Sequence, residues 1–382
     1  MSGLRNFIDC CEELEDPRVF RMTTYPLNEL LLCCLCAIIC RNQDWEEISC
    51  WGKYHLEFLR QFLPFENGVP EAATFARVFN ALDSKHFNVC FTHWVSNLYI
   101  NLKGKQVAID GKTIKGSKLA ADGTGAAHIV SAFVHEYGLV IGQTKVSEKS
   151  NEITAIPELL SNLALEGSII SIDAIGTQKE IAKQIVDKKA DYVLALKENQ
   201  KLLYEDVKLF LDDLGNDLTS DIVYDEYEDT DAGHGRIEVR NCKVVKEVDW
   251  LKKLHPEWVN LGSIAKVDSI RINKKTLKEQ RQSRYYISSL TVNASKMLSN
   301  VRNHWSVENK LHWILDMNFK EDSCRTRVDH GAENLAIMRK AALNLIRQYS
   351  PENTKKLTLK RKMLNATYDN NYLKCLLFTS NL

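Results

Sequence analysis

The stretch SIISIDAIGTQKEIAKQIVDKKADYVLALK, residues 168–197, decides the fold class of this chain. It begins with one short apolar segment, SIISID (168–173), and ends with another, DYVLALK (191–197). Between them, TQKEIAKQIVDKK (177–189) repeats apolar residues at the spacing of an amphipathic helix. Two parallel strands need a crossover of this kind, because a tight turn cannot join them. The stretch therefore predicts an α/β protein with a parallel strand pair.

The sequence on either side extends the same sheet. QVAID (106–110) is a predicted strand, and AAHIVSAFVHEYGLVIGQTKV (126–146) has the alternation of a hairpin. NEITAIPELLSNLAL (151–165) and ENQKLLYEDVKLFLDDL (198–214) are predicted helices. A three-stranded meander followed by right-handed crossovers predicts a mixed sheet covered by helices, which is the order of a ribonuclease H-like core.

The outer regions differ in composition from this core. Residues 1–95 are periodic at helical spacing and predict an all-helical N-terminal domain, which serves either DNA-end binding or dimerisation. Residues 218–290 open with acidic side chains and then become strand-rich, so we expect a β-rich insertion between core segments 105–215 and 291–350. A basic helical pattern over 339–363 leads into a basic C-terminal tail, 351–382, with candidate polyanion contacts at Lys355, Lys356, Lys360, Arg361 and Lys362.

Bulk composition excludes several classes of protein. The chain has 50 Lys and Arg and 50 Asp and Glu, so any affinity for a polyanion must come from local patches. The longest apolar run, Leu30–Cys40, is shorter than the roughly 20 residues that span a bilayer. We expect no membrane association and a cytoplasmic location.

Four of the eleven cysteines cluster in that apolar run, at Cys33, Cys34, Cys36 and Cys40. One interpretation is a zinc or iron–sulfur site. The other is reduced thiols that fill a buried helix as small apolar side chains. No CxxC pair recurs at zinc-ribbon spacing, so we expect the second and predict no bound zinc.

The segment RNHWSVENKLHWILDMNF, residues 302–319, has a charge on the apolar side of a predicted helix. At about 100° per residue, Glu308 falls near the middle of the side formed by Val301, Trp305, Leu311, Leu315 and Phe319. A lone buried carboxylate costs several kcal/mol unless it is paired, protonated or bound to a metal. Glu308 is therefore a candidate functional residue, or a structural ion pair with His304, His312 or Arg302.

Two aspartates follow predicted strands. Asp110 ends QVAID and Asp173 ends SIISID, and sites in open α/β sheets gather at the carboxyl ends of strands. A helix that crosses this edge would bring Glu308 to the same point. Three converging carboxylates repel one another unless divalent cations neutralise them, and Mg²⁺ or Mn²⁺ prefers such oxygen ligands. Two ions about 4 Å apart can clamp both oxygens of a phosphodiester displacement. Taken singly, Asp110 is also a turn former and Asp173 a helix cap.

The chain resembles a known family at six motifs. These are VAIDGKTIKGS, SNEITAIPELL, IDAIGTQKEIAKQI, GHGRIEVR, YYISSL and RNHWSVENKLHWILDMNFKED. Together they are similar to the H-repeat-associated transposases of bacterial insertion sequences, within the DDE transposase superfamily. The resemblance covers nearly the whole chain and implies a ribonuclease H-like fold with a β-rich insertion. It also implies that the acidic triad is Asp110, Asp173 and Glu308.

This chain differs from the wider superfamily in the helix that carries the last catalytic residue. Related insertion-sequence transposases have a Tyr, Arg, Glu, Lys signature there. In this chain Val301, His304 and Leu315 occupy the Tyr, Arg and Lys positions. Contacts of those side chains with DNA do not carry over, and Arg302, Lys310 or Lys320 are the candidate substitutes.

Basic residues near these motifs are candidate DNA contacts. Alternate residues of a strand share a face, so Arg236 and Arg240 project together from the glycine turn of GHGRIEVR. The alternatives are solvated lysines and an ordinary surface hairpin. The candidate DNA-binding residues are Lys112, Lys115, Lys197, His234, Arg236, Arg240, Arg302, His304 and Lys310.

The resemblance implies a DDE transposase that hydrolyses and transfers strands at insertion-sequence ends. It implies two Mg²⁺ or Mn²⁺ ions per active site, terminal inverted repeats and target DNA as partners, and a homodimer on DNA. Two alternatives remain open at this point. One is a nuclease of the same fold that cuts without joining, and the other is a non-catalytic DNA-binding relic.

Overall fold

The structure, a computed structural model, describes residues 3–19, 23–98, 101–118, 125–147, 150–214, 221–233, 235–350 and 357–378. Three candidate contacts, His234, Lys355 and Lys356, lie outside the described residues.

The N-terminal region is helical, as the periodicity predicts. Its helices are α1 (Gly3–Cys11), α2 (Leu27–Ile39), α3 (Trp45–Tyr54), α4 (Leu56–Leu59), α5 (Ala72–Ala81) and α6 (Ser84–Ser96). Asp44 and Asp83 cap α3 and α6 by accepting main-chain N–H bonds in the first turn. No helix in the described ranges is both long and apolar enough to cross a membrane.

The clustered cysteines lie in α2 and at the residue that caps its C-terminus, Cys40, and every residue of this helix except Asn28 is buried. Burial raises the pKa of all four thiols, that of Cys40 to about 12. Small buried thiols of this kind fill the helical core as apolar side chains, and the absence of bound zinc stays a prediction.

A nine-stranded mixed sheet forms the centre of the molecule. Its strands are β1 (Gln106–Thr113), β2 (His128–Val134), β3 (Leu139–Lys145), β4 (Ile169–Ile172), β5 (Asp191–Leu196), β6 (Asp225–Gly233), β7 (Arg236–Val245), β8 (Ser263–Asn273) and β9 (Glu279–Ser288). They lie in the order β3-β2-β1-β4-β5-β9-β8-β7-β6. The first three form the predicted meander, and β4 runs parallel to both β1 and β5. The predicted α/β fold with a mixed sheet is confirmed.

The β-rich segment continues this sheet through the antiparallel pairing of β9 with β5. Strands β7, β8 and β9 appear where the sequence predicts strands. Strand β6 was not expected, because its sequence DEYEDTDAG is acidic and acidic residues have low strand propensity. Its pairing with β7 along its whole length overrides that preference. The division of the chain into domains stays a prediction.

Helices cover both faces of the sheet. They are α7 (Glu152–Ser161), α8 (Lys179–Asp187), α9 (Lys201–Asp212), α10 (Asp249–Leu254), α11 (Ala294–Val307), α12 (Trp313–Phe319), α13 (Gly331–Gln348), α14 (Leu359–Tyr368) and α15 (Asn370–Phe378). A single π-helical turn, Glu308–His312, joins α11 to α12. Such turns inside α-helices are frequent at functional sites.

Helix α13 joins the helical region to the sheet, because it packs against α2, α5, α6 and β3. All its residues except Arg347 are buried. The expected helical pattern is present in α13, but two of its basic side chains are buried, since Arg339 is 1% exposed and Lys340 is 2% exposed. The Lys340 ammonium instead donates a hydrogen bond to the Gln143 side chain at 2.6 Å.

Candidate active site

Asp110 and Asp173 are neighbours across two parallel strands. The β1–β4 register pairs Ile109 with Ile172, so each aspartate occupies the next position along its strand. Strand β4 ends at Ile172. The sequence predicts that β1 ends at Asp110, but the strand continues to Thr113. The two carboxylates therefore lie at one edge of the parallel sheet, where α/β sites form.

The Asp173 carboxylate is oriented by the turn that follows it. Its Oδ1 accepts main-chain N–H bonds from Ile175 at 3.1 Å and Gly176 at 3.3 Å. The Thr177 hydroxyl lies within hydrogen-bond distance of the Asp173 and Ala195 carbonyls. Asp173 is thus a turn former as well as a neighbour of Asp110.

Glu308 reaches this edge from the helical layer. Its side chain is 70% exposed, so the expectation of a carboxylate on a buried helix face is wrong. The same expectation fails at Trp305, which is 49% exposed. Helix α11 packs over β1, β4, β6 and β7, and the π turn begins at Glu308. Glu308 therefore faces solvent near Asp110 rather than the core.

His312 lies between the two carboxylates. Its Nδ1 atom is 3.1 Å from Glu308 Oε2 and 3.7 Å from Asp110 Oδ2. One ligand atom from each of Asp110, Glu308 and His312 lies within 4.8 Å of the others. The sequence analysis considered His312 only as an ion-pair partner of Glu308.

The acidic residues repel one another. Burial, followed by the charges of Asp173 and Glu152, raises the pKa of Asp110 to about 7. Burial also raises the pKa of Asp173, although two main-chain N–H bonds and Lys197 oppose the shift. A cation bound at this point would remove the repulsion and keep both groups ionised.

Glu152 is a fourth carboxylate at the site, and the sequence analysis missed it. It is the first residue of α7, and its Oε1 is 2.6 Å from Nε2 of His128. A Cβ atom on Gly111 would overlap both side chains, so in their present positions the pair lies directly against this glycine of β1. The signal was present in SNEI, where a charged residue follows the helix cap. A cleft of about 970 Å³ opens beside Glu152 and His128.

Lys112 is committed to an ion-pair cluster behind the site. Its ammonium lies 2.7 Å from Asp316, 3.2 Å from Glu321 and 2.9 Å from Asp322, and its side chain is 11% exposed. Burial favours the neutral amine, but these three carboxylates outweigh it and raise the pKa of Lys112. A phosphate could engage this lysine only by breaking an ion pair. The cluster instead fastens the end of α12 to β1.

The other candidate basic residues, Lys115, Lys197, Lys310 and His304, differ in their neighbours and in their charge. Lys115 is exposed and paired with Asp322, whereas Lys197 is exposed near Asp173. Lys310 is exposed, with its Nζ 3.2 Å from Nε2 of His135. Burial lowers the pKa of His304 to about 4, so its ring is neutral and does not replace the charge of an arginine.

The remaining candidates line a groove on the far half of the sheet. A cavity of about 430 Å³ is lined by Trp305 and five arginines, Arg236, Arg240, Arg271, Arg284 and Arg302. We call this cavity the arginine groove. Glu238 pairs with Arg236, Arg240 and Arg271, and Asp229 pairs with Arg302 at 2.5 Å. The Arg284 guanidinium lies over the Trp305 ring, 4.2 Å from its centroid.

One face of the sheet produces the groove by alternation. Beneath α11 this face is apolar, with Cys242, Val244, Val267 and Tyr286 packed against the helix. Further along the same strands it presents arginines, because every second residue shares a face. The sequence analysis missed Arg271 and Arg284, since they enter the groove from strands that pair only in the folded sheet.

Comparisons with known proteins agree on one family. The family profile described as "Transposase DDE domain" matches residues 75–345, and one described as "DDE_Tnp_1-associated" matches residues 8–95. The Escherichia coli (strain K12) protein named "H repeat-associated putative transposase YhhI" is 38% identical over 383 residues, which is 99% of each chain. The Escherichia coli O157:H7 protein named "Putative transposase YncI" is 38% identical over 346 residues, 90% of this chain and 88% of the relative.

A solved structure also aligns along this chain. It is a cryo-EM structure of the piggyBac transposase synaptic complex with hairpin DNA, covering 99% of this chain and 79% of that one. The TM-score is 0.43 and the sequence identity 12%, so this likeness is too weak to add to the argument.

Proposed function

The chain belongs to the Transposase DDE domain family, and from this premise we propose that it cuts and joins phosphodiester bonds at the ends of a mobile element. The H-repeat-associated resemblance is confirmed by full-length relatives. As a member of this family the chain is a DNA transposase. Its chemistry is the proposal: Asp110, Asp173 and Glu308 hold two Mg²⁺ or Mn²⁺ ions per active site.

The convergence of acidic groups is the observation that carries the proposal. Asp110 and Asp173 are adjacent on parallel strands, and Glu308 and His312 offer ligand atoms within 4.8 Å of Asp110. Burial, followed by the charges of Asp173 and Glu152, raises the pKa of Asp110 to about 7, and a bound cation would offset both costs. A donor set rich in carboxylate oxygen suits Mg²⁺ or Mn²⁺. The ions, when bound, would activate water and stabilise charge on the scissile phosphate.

The chain's own groups position the substrate. The charges of Asp173 and Glu308 both act on Asp110, so the three carboxylates together would hold the ions. Lys197, exposed beside Asp173, is placed to contact a phosphate of the strand entering the cleft. The Lys112 cluster keeps α12 against β1 and so keeps Glu308 within reach of Asp110. Rigid support of this kind preserves the geometry that metal-assisted phosphoryl transfer needs.

The reaction proposed has two steps on DNA. Water first attacks a phosphodiester at the element end, and the released 3′-hydroxyl then attacks a target phosphodiester, so that one bond breaks as another forms. No covalent bond between protein and DNA is required. Two ends must be held together for strand transfer, so a homodimer on DNA is part of the proposal.

DNA contacts are proposed in two regions. Recognition of the terminal repeats is assigned to the helical region 1–95, and sequence-independent phosphate contact to the arginine groove, Lys360 and Arg361. Residues from Phe7 to Leu377 share one hydrophobic core, so a deletion of 1–95 would expose α13. Exposed positions of α3 and α5 are therefore the ones to substitute when recognition is tested.

The testing experiment is a strand-transfer assay. The full chain is incubated with duplexes that end in the terminal repeats flanking its gene, a supercoiled target, and Mg²⁺ or Mn²⁺. We expect cleaved ends and joined products, both abolished by a chelator. Cleavage without joining from paired ends would favour the nuclease alternative. Absence of both, with binding to the ends retained, would favour the non-catalytic relic.

A further inference from the structure

His312 is held against the acidic site by its place in the helix. It is the last residue of the π-helical turn, and its side chain is only 5% exposed. Its Nδ1 atom faces Glu308 Oε2 at 3.1 Å and Asp110 Oδ2 at 3.7 Å. Imidazole therefore lies in the gap between two carboxylates that the proposed function already assigns to metal binding.

The two distances from Nδ1 can be compared with the spacing of neighbouring ligand atoms around a single cation. In an octahedral site with bonds of about 2.1 Å, adjacent ligand atoms are about 3.0 Å apart. The Nδ1 to Glu308 separation equals this edge within about 0.1 Å, and the Nδ1 to Asp110 separation exceeds it by about 0.7 Å. The three ligand atoms lie within 4.8 Å of one another, so the carboxylates would have to move closer to bind one ion together with Nδ1.

The far side of the ring provides a second observation. The Nε2 atom of His312 is buried and has no hydrogen-bond partner among the residues that the structure describes. Oε1 of Glu321 is likewise buried and without a partner in the same residues, and the charge of Glu321 acts on His312. A histidine bound to metal through one nitrogen usually donates its other N–H to a carboxylate. No nitrogen of His312 lies within ion-pair distance of Glu321, so the structure leaves the buried Nε2 without this partner.

We propose that His312 is a nitrogen ligand, through Nδ1, to the cation held by Asp110 and Glu308. The proposal rests on the metal-dependent function above and specifies the metal. An imidazole ligand favours later first-row divalent cations over Mg²⁺, which prefers oxygen alone. This site should therefore prefer Mn²⁺ to Mg²⁺.

The neighbouring histidine offers a matched control. His304 lies two helical turns earlier, and its Nδ1 is 3.1 Å from the Ser171 hydroxyl rather than from a carboxylate of the site. It is not among the residues whose ligand atoms cluster with Asp110. Replacement of His304 changes a buried histidine on the same helix without changing the proposed ligand.

The test is pulsed electron paramagnetic resonance on the full chain loaded with Mn²⁺. We expect nitrogen hyperfine modulation from bound Mn²⁺, and a change of its frequency when histidine alone is labelled with the heavy nitrogen isotope. His312→Gln should lose the modulation and His304→Gln should keep it. His312→Asp should raise the Mg²⁺ affinity relative to Mn²⁺, measured by titration, by about tenfold. The labelling arm uses the unaltered protein, so it remains decisive if a variant misfolds.

The outcomes separate this inference from the function on which it rests. Suppose that Asp110→Asn weakens Mn²⁺ binding, but Mn²⁺ bound to the unaltered chain shows no modulation from histidine nitrogen. This result would overturn the assignment of His312 as a ligand and leave the two-metal proposal standing. Mn²⁺ binding that Asp110→Asn does not weaken would instead overturn the assignment of metal to this site, and the inference with it.

Discussion

The acidic site and the arginine groove concentrate opposite charges on two halves of one sheet. At the acidic site, Asp110, Asp173, Glu152 and Glu308 converge, and the pKa of Asp110 rises to about 7. In the groove, five arginines are interleaved with Glu238, Asp229 and Asp231. One region is left with repulsion inside the chain, whereas the other satisfies most of its charge by itself.

The difference indicates how each region meets its ligand. Carboxylates that repel one another favour the binding of cations, because the binding energy of the cation offsets the repulsion. Paired arginines must exchange a carboxylate for a phosphate, so each arginine contributes little net affinity. Chemistry should therefore depend steeply on single residues of the acidic site, and DNA affinity should be spread over many residues of the groove.

The largest effect is expected when one acidic residue of the site is replaced. Asp110→Asn, Asp173→Asn or Glu308→Gln should each lower the cleavage rate by at least about a thousandfold, because metal-assisted stabilisation is worth several kcal/mol. Binding to element ends should remain near that of the unaltered chain. Gel-based cleavage and binding assays measure the two quantities. Asp249→Asn, at an exposed position of α10, is the control and should change neither. Normal cleavage by one variant would remove that residue from the site.

A second prediction concerns pH in the absence of metal. The folded pKa of Asp110, about 7, is raised above its ordinary value, so the folded protein binds this proton more tightly than the unfolded chain. Stability is therefore full below about pH 4 and falls as pH rises towards 7, by up to about 4 kcal/mol from this group alone.

Denaturant unfolding of chelated protein at several pH values measures this effect. The metal-free Asp110→Asn variant should be more stable than the unaltered chain at about pH 8, and Mn²⁺ should stabilise only the unaltered chain. Equal stability of both proteins at every pH would show that the repulsion at Asp110 is relieved within the chain.

The smallest effects should come from the groove. Arg284→Ala or Arg302→Ala should weaken binding to cognate and scrambled duplexes alike by roughly fivefold, which is about 1 kcal/mol. The log–log salt slope should fall by about 0.9 for each phosphate that the variant no longer neutralises. Binding titrations across salt concentration measure both. Arg281→Ala is the matched control, since Arg281 lies on the same strand as Arg284 but projects from the opposite face. An equal weakening in this variant would show that the groove has no special part in DNA binding.

Local patterns in the sequence were sufficient for the sheet and for the triad as candidates. Alternation and helical spacing are properties of short segments, so strands β1 to β5 and their helices appear where expected. Asp110 and Asp173 could be selected because strand ends can be found from the sequence. Strand β6 could not, because only its pairing with β7 overrides an acidic sequence.

Tertiary structure decided what each selected residue faces. A helical wheel gives the direction of Glu308 around an axis but not what lies opposite, which is solvent instead of the core. Lys112 looked like a phosphate ligand until Asp322, 210 residues away, was seen to pair with it. The sequence places Arg339 and Lys340 in a basic helical stretch, but only the packing of α13 against α2 and β3 shows that both are buried.

The sequence by itself thus determined strands β1 to β5 with their helices, the family, and the three acidic residues proposed to bind metal. The structure alone added Glu152, the position of His312 between two carboxylates, and the arginine groove. The physical reason is distance along the chain. Periodicity depends on neighbours within a few residues, whereas charge, burial and ligand geometry depend on segments that meet only when the sheet and its helices have closed around one core.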